Sequence, residues 1–272
     1  MKKILVPCDF SKPAINAYRF ALDIAEKSKG VIYLIHVVDL PAFHESMLIE
    51  QDFIHFMKKK TERNFEKLLK KHGTGGVRVK FEVVFGTVSR MIVDYVNTMN
   101  IDVIVMGSHG ASGVKEFFVG SNAEKVVRKS SVPVFVLKEF YRGPIKRIVF
   151  PYTLETDSQK DLVNEINLLQ KFFKAHIDIV WINTPGVFYQ DIYMIKRMQG
   201  YTRRYKLKNF AIHVFNDLNE RDGIINFTET INGDLVVMGT HGRKGILHLL
   251  SGSVTEDVVN RVKWPIWTYV VK

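Results

Sequence analysis

Short apolar runs rich in branched side chains alternate along the chain with longer segments that have helical periodicity. In the first half these apolar runs cover residues 4–6, 31–37, 79–84, 101–106 and 132–137. Continuous apolar runs of this length are typical of parallel strands buried on both faces. After the first run, Ala14, Ala17 and Ala21 keep three- and four-residue spacing, and Ser11 is the candidate N-cap. The pattern predicts alternating strands and helices, and thus a parallel sheet covered by helices.

The same pattern occurs a second time in the chain. Residues 101–138 align with 233–270 without a gap, and Lys3–Pro7 aligns with Arg147–Pro151. The second copy is shorter in its middle, chiefly after Ile182. An internal repeat of this size predicts two structural units in tandem. We therefore expect an α/β protein with two doubly wound, five-stranded, parallel-sheet (Rossmann-like) domains, over residues 1–140 and 144–272.

Each copy has a glycine-spaced segment after its fourth strand. Two glycines three residues apart are followed, after nine intervening residues, by Gly-Ser: Gly107, Gly110, Gly120 and Ser121 in the first copy, and Gly239, Gly242, Gly252 and Ser253 in the second. Glycine lets a ligand approach the backbone closely, and a helix expected to begin at about Asn122 offers free N–H groups to an anion. Open α/β sheets bind ligands at this carboxyl edge. The segment predicts a site for a phosphate-bearing ligand.

A purely structural interpretation of these segments remains open. Glycines also serve only to turn the chain, and Ser121 with Glu124 fits a capping box, as does Ser253 with Glu256. Duplication copies structural turns as faithfully as binding sites. Neither segment fits G-x-x-x-x-G-K-[ST] or G-x-G-x-x-G, so P-loop chemistry is not predicted.

Charge and composition reduce the number of protein classes to which the chain could belong. The net charge is +11, and the basic clusters fall in segments predicted to be helical between second and third strands: residues 58–60, 70–71 and 203–204, with Lys206 and Lys208. Such clusters are usually solvated helix faces, and no nucleic-acid motif accompanies them. The single cysteine, Cys8, and the lack of a long apolar segment favour a cytoplasmic protein without a membrane span. Cys8 itself is interpreted as a small buried residue, with a redox-sensitive thiol as the alternative.

These residues together resemble the universal stress protein family in its tandem form, over nearly the whole chain. The resemblance rests on the segment G-2x-G-9x-G-[S/T] in both copies and on Pro7-Cys8-Asp9-Phe10-Ser11, which is similar to the family's opening P-x-D-x-S. It implies ATP or AMP at the carboxyl edge of the sheet, with Mg²⁺ as an optional companion. The nucleotide-binding set that it implies is Pro7, Cys8, Asp9, Val37, Met106, Gly107, His109, Gly110, Gly120, Ser121 and Asn122.

Within that set the resemblance assigns separate parts of the nucleotide to separate residues. Asp9 lies near the ribose or a metal-bound phosphate, and the backbone of Val37 faces adenine. Gly120, Ser121 and Asn122 hold the phosphates, while Met106, Gly107, His109 and Gly110 line the ribose and phosphate side. No dedicated metal site is expected, apart from contact of Asp9 with Mg²⁺–ATP.

The second copy departs from this pattern at its first strand. Thr153 stands in the position of Asp9, and the bulkier Tyr152 in the position of Cys8. We expect a weaker second site there: Gly239, His241, Gly242, Gly252, Ser253 and Val254. The resemblance also implies pairing of the last strands, either within the chain or in a homodimer.

No nucleophile or general acid is recognised, so no catalytic residue is predicted. The leading hypothesis is an adenine-nucleotide-binding stress-response protein that acts as a sensor or regulator with little or no turnover. One alternative is an enzyme that hydrolyses ATP slowly. The other is a scaffold whose basic helix faces bind an acidic partner.

Overall fold

The computed structural model describes residues 1–39, 51–108, 121–154, 159–241, 262 and 264–271, with only the backbone at 240 and 241. The chain divides into two compact units, residues 1–141 and 142–272. No helix among these residues is long and apolar enough to cross a bilayer.

The first unit is a parallel sheet with helices between its strands. Its strands are β1 (Lys3–Pro7), β2 (Val31–Val38), β3 (Arg78–Phe85), β4 (Val103–Gly107) and β5 (Val134–Leu137). Its helices are α1 (Lys12–Ser28), α2 (Gln51–His72), α3 (Val88–Met99) and α4 (Ser121–Lys129). The strand order is β3-β2-β1-β4-β5, and every pairing is parallel.

The second unit repeats this arrangement. Its strands are β6 (Arg147–Pro151), β7 (His176–Asn183), β8 (Phe210–Asn216), β9 (Leu235–His241) and β10 (Ile266–Val271). Its described helices are α5 (Lys160–Phe173), α6 (Asp191–Arg204) and α7 (Glu220–Thr230). The order β8-β7-β6-β9-β10 is again parallel throughout. The predicted tandem α/β fold is thus confirmed.

Helix α1 shows why the sequence folds in this way. Ser11 accepts a hydrogen bond from the amide of Ala14 (3.4 Å), as the N-cap prediction requires. Ala17 and Ala21 are completely buried, and their small side chains let the helix lie close to the sheet.

A structural carboxylate recurs at the start of the fourth strand of each unit. In the first unit, Asp102 accepts hydrogen bonds from the amides of Lys2 and Lys3, the latter at 3.0 Å. In the second, Asp234 does the same for Lys146 (2.7 Å) and Arg147 (2.9 Å). Each carboxylate therefore provides hydrogen-bond acceptors for main-chain amides at the start of the first strand of its unit. This shared device also explains why β4 begins at Val103, later than its apolar run.

The basic clusters lie close to where the pattern placed them. Residues 58–60 and 70–71 are in α2, and residues 203–204 end α6. Lys206 and Lys208 are a correction, because α6 has already ended and both lie in the following loop.

Candidate functional site

The order of strands in the first unit reverses between β1 and β4. These strands are neighbours, with Leu5 opposite Ile104, but the chain continues from β1 towards β2 and from β4 towards β5. Loops diverge above such a reversal and leave a crevice at the carboxyl edge. Asp9 follows β1 and Gly107 ends β4, so the two residues flank this reversal.

The loop after β1 is held in a fixed conformation by its own backbone. The amide of Cys8 donates to the carbonyl of Ile35 at 2.8 Å, which continues the pairing of β1 with β2. The amide of Ser11 donates to Oδ1 of Asp9 at 3.0 Å, and this local turn is typical of aspartate. Phe10 adopts a φ of 65° between them. The carboxylate of Asp9 is therefore held at the carboxyl end of β1.

His36 supports the same loop from the neighbouring strand. Its Nδ1 lies 2.8 Å from the carbonyl oxygen of Cys8, so this nitrogen donates a hydrogen bond. Its ring lies 5.2 Å from that of Phe10, which in turn lies 5.0 Å from the ring of Phe65. Val37 follows His36 and lies opposite Val84 in the sheet. His36 thus positions the loop, a role that the sequence motif did not reveal.

Gly107 has a packing role that is independent of any ligand. A Cβ at this position would lie 2.8 Å from both the carbonyl carbon and the Cβ of Pro13, and 3.0 Å from the amide nitrogen of Ala14. The first turn of α1 therefore approaches the end of β4 more closely than any side chain allows. Met106, which precedes it, is buried.

The phosphate side of the predicted site is described only at its helix. The described part of α4 runs from Ser121, and the side chains of Ser121 and Asn122 are exposed. His109, Gly110 and Gly120 lie outside the described residues.

The thiol next to Asp9 is inert at neutral pH. Burial raises the pKa of Cys8 to about 12, although the backbone amide of Phe10 acts in the opposite direction. A thiol with this pKa is almost entirely protonated in the cell, whereas reactive cysteines have a lowered pKa. The physical chemistry favours a small buried residue over a redox sensor.

The corresponding loop of the second unit keeps one main-chain hydrogen bond of the first but has different side-chain contacts. The amide of Tyr152 donates to the carbonyl of Val180 at 2.7 Å, as Cys8 does to Ile35. Thr153 Oγ1 accepts from Gln159 Nε2 at 3.4 Å, and Gln159 Oε1 accepts from the hydroxyl of Tyr201 at 2.6 Å. The position equivalent to Asp9 is therefore tied to α5 and α6.

Aromatic rings fill the space around this second loop. Tyr152 is only 8% exposed, and its ring lies 5.2 Å from Tyr201 and 6.4 Å from Trp181. Burial raises the pKa of Tyr201, with the hydroxyls of Tyr205 and Tyr152 adding to the effect. Sequence reasoning missed Gln159 and Tyr201, because no motif marks them.

Gly239 shows how the two fourth strands differ. A Cβ there would meet Cδ2 of Leu162 at 2.6 Å, the end of a flexible side chain rather than backbone. The backbone of β9 ends at His241. Gly242, Gly252, Ser253 and Val254 lie outside the described residues, as does Glu256.

A buried ion cluster at the amino end of β7 was not predicted. Asp178 is fully buried, and it accepts hydrogen bonds from Arg147 Nε (3.0 Å) and Nη2 (2.9 Å) and from His213 Nε2 (2.8 Å). Burial alone would raise the pKa of Asp178, but these hydrogen bonds outweigh it and hold the pKa below its usual value. The only signal was one aspartate inside an apolar strand. Within the described parts of the chain, no group of three or more His, Cys, Asp or Glu side chains could hold a metal ion.

The fold and the two loops define a class: a tandem protein of doubly wound α/β units, each with a glycine in the strand beside its point of reversal. Comparison with known sequences gives the family. The profile of the universal stress protein family matches residues 1–138 and again 144–269, and the chain belongs to this family.

Individual relatives match one copy or both. Universal stress protein MJ0531 of Methanocaldococcus jannaschii is 31% identical over 144 residues, which are 51% of this chain and 82% of that protein. Universal stress protein Slr1230 of Synechocystis is 24% identical over 299 aligned positions, covering 99% of this chain and all of the relative. A universal stress protein structure from Archaeoglobus fulgidus superposes with a TM-score of 0.73 at 20% identity, covering 98% of this chain and 95% of its own. This last likeness shows the shared fold.

Proposed function

We propose that the first unit binds an adenine nucleotide, ATP or AMP, at the reversal between β1 and β4. The observation that carries the proposal is the carboxylate of Asp9, held by the amide of Ser11 at 3.0 Å beside the end of β4. Membership of the universal stress protein family supports it. The glycine segment alone is weaker support, because the packing against Pro13 already explains Gly107.

The proposed site divides the nucleotide among three groups of residues. Asp9 faces the ribose or a phosphate-bound Mg²⁺, and the backbone of Val37 accepts adenine beside Pro7 and Cys8. Met106, Gly107, His109 and Gly110 line the ribose side, while Gly120, Ser121 and Asn122 hold the phosphates at the start of α4. When bound, Mg²⁺ would neutralise phosphate charge; Asp9 is the residue that would meet it.

We further propose that the nucleotide is sensed rather than turned over, as part of a cytoplasmic stress response. Catalysis of hydrolysis needs a base within reach of water. The sequence offers no recognisable nucleophile or general acid, and we therefore propose a regulator with little or no turnover.

The second unit is proposed as the weaker site or no site. Thr153 lacks the carboxylate, and its hydroxyl is bonded to Gln159. Residues 1–140 and 144–272 are proposed as the two domains, with pairing of their last strands, or of two chains, as the assembly.

Retained nucleotide tests the proposal directly. Native purification followed by denaturation and mass spectrometry should yield about one adenine nucleotide per chain. Asp9→Asn keeps an oxygen for the amide of Ser11 but removes the charge, and it should weaken Mg²⁺–ATP binding about ten- to a hundredfold. Thr153→Ala is the matched control in the second unit and should leave the affinity unchanged. Nucleotide that neither co-purifies nor stabilises the wild type against heat would end the proposal.

A steady-state assay of ATP consumption distinguishes the proposed sensor from the enzymatic alternative. Sustained turnover by the wild type, abolished in Asp9→Asn, would replace the sensor with a slow hydrolase.

A further inference from the structure

Helix α2 carries one row of exposed side chains at heptad spacing. The positions are alternately three and four residues apart and comprise Phe53, Phe56, Lys60, Arg63, Lys67 and Lys70, which we call the α2 seam. Side chains at this spacing lie along a single helix face. Phe53 is 45% and Phe56 is 62% exposed, and the four cations are exposed as well. The seam extends over about 26 Å at 1.5 Å per residue.

The orientation of α2 is fixed by a different face. Thr61, Phe65 and Leu68 are its buried residues. The ring of Phe65 lies 5.0 Å from that of Phe10 and stacks on Phe81 at 5.1 Å. The seam is thus directed away from the packed side of the helix.

The distribution of charge along the seam is one-sided. Its last four residues are all cations, whereas Glu62 and Glu66 lie off the seam. Like charges three or four residues apart destabilise a helix. Within the described ranges, the ion pairs that form include none of these four cations. An ordinary solvated face interleaves both signs, whereas the seam itself carries four cations and no anion.

We propose that the α2 seam docks an acidic helical segment of another protein. Such a partner presents carboxylates at heptad spacing to Lys60, Arg63, Lys67 and Lys70, and an apolar residue to the two phenylalanines. The charge complementarity relieves the repulsion along the seam, and Arg63 offers a bidentate donor to one carboxylate. This surface goes beyond the nucleotide site and uses none of its residues.

The geometry favours a protein partner over two other polyanions. On a helix that lies in a bilayer, apolar and basic side chains occupy opposite sides. On α2 they share one side and change along the length, so the cations would be immersed with the phenylalanines. Single-stranded nucleic acid is bound in a basic groove with aromatic stacking surfaces, whereas the seam is a ridge.

The test moves charge without changing its amount. The seam-swap variant combines Lys60→Glu, Glu62→Lys, Arg63→Glu and Glu66→Arg, and it keeps the net charge of +11. The flank control combines Lys58→Glu and Lys59→Glu, which lowers the net charge but leaves the seam intact. The probe is a fluorescent helical peptide of about three heptads, with glutamates at the facing positions and leucines at one end. Fluorescence anisotropy measures its binding to the full chain.

We expect the wild type and the flank control to bind within about threefold of each other, and the seam swap to bind at least about tenfold more weakly. Equal binding by the seam swap would overturn the proposal. So would a flank control that weakens as much as the swap, since binding would then depend on the basic residues of α2 in general and not on the seam. Tighter binding of an oligothymidylate or of phosphatidylglycerol vesicles than of the peptide would also reject a protein partner. Far-UV circular dichroism checks folding, and Lys60→Gln with Lys67→Gln replaces any swap that fails to fold.

Discussion

The two corresponding glycines of the fourth strands, Gly107 and Gly239, are predicted to respond differently to the same small change. Alanine at Gly107 puts its Cβ 2.8 Å from the carbonyl carbon of Pro13, whereas alanine at Gly239 puts it 2.6 Å from a methyl of Leu162. Neither contact is tolerable as it stands. Backbone at the start of α1 can yield only by moving the helix, while a leucine methyl can rotate away.

The expected changes in the free energy of unfolding follow from how each close contact can be relieved. Overpacking that moves backbone costs about 1–3 kcal/mol, and a leucine pushed off its rotamer costs about 0.5–1.5 kcal/mol. Replacing glycine by alanine also restricts the unfolded chain and returns about 0.4–1 kcal/mol. The net expectation is a loss of about 1–2 kcal/mol for Gly107→Ala and a change near zero for Gly239→Ala.

Thermal unfolding of both variants and the wild type tests this difference. At about 3–4 °C per kcal/mol for a unit of this size, Gly107→Ala should lower the far-UV midpoint by about 3–8 °C. Tryptophan fluorescence adds a local probe, because Trp181, Trp264 and Trp267 all belong to the second unit. Equal shifts, or a larger one for Gly239→Ala, would refute the packing argument.

Three further predictions concern groups that the structure buries. Asp178→Asn should cost about 2–3 kcal/mol at neutral pH, moderated because Arg147 can rehydrate. Because the pKa of Asp178 is lowered in the folded state, this contribution to stability is complete above the unfolded pKa of about 4 and is lost as the pH falls through the folded pKa. Urea unfolding at neutral pH and at a pH below the folded pKa should therefore show that the free energies of unfolding of variant and wild type converge in acid. Cys8, with its pKa near 12, should react with maleimide about a hundredfold more slowly in the native protein than in urea, and fast native labelling would contradict the burial. Tyr201→Phe should cost about 1 kcal/mol by removing the hydrogen bond to Gln159, and an unchanged unfolding midpoint would show that the bond is not stabilising.

The repeated apolar runs predicted the fold because parallel strands that are buried on both faces have continuous apolar sequences. The point of reversal followed from the order of elements, and with it the placement of Asp9 after β1 and of Gly107 at the end of β4. The supporting contacts could not be predicted in this way. His36 reaches the carbonyl of Cys8 across strands, and Gln159 reaches Thr153 around a loop, so both depend on distances that no spacing in the sequence encodes. The cluster at Asp178 was hidden for the same reason, since its partners come from two other strands.

The two copies share main-chain hydrogen bonds but differ in their side-chain contacts. This difference determines how strongly the glycine segment supports a nucleotide site. The amide that follows the first strand donates to the same position of the second strand in both units, and the aspartate before the fourth strand is shared as well. Both fourth-strand glycines are in close contact with the helix after the first strand. Packing therefore accounts for the first glycine of each segment without any ligand. The proposal of a nucleotide site rests instead on the residues that differ: the carboxylate of Asp9 in the first unit, and Thr153, which is hydrogen-bonded to Gln159, in the second.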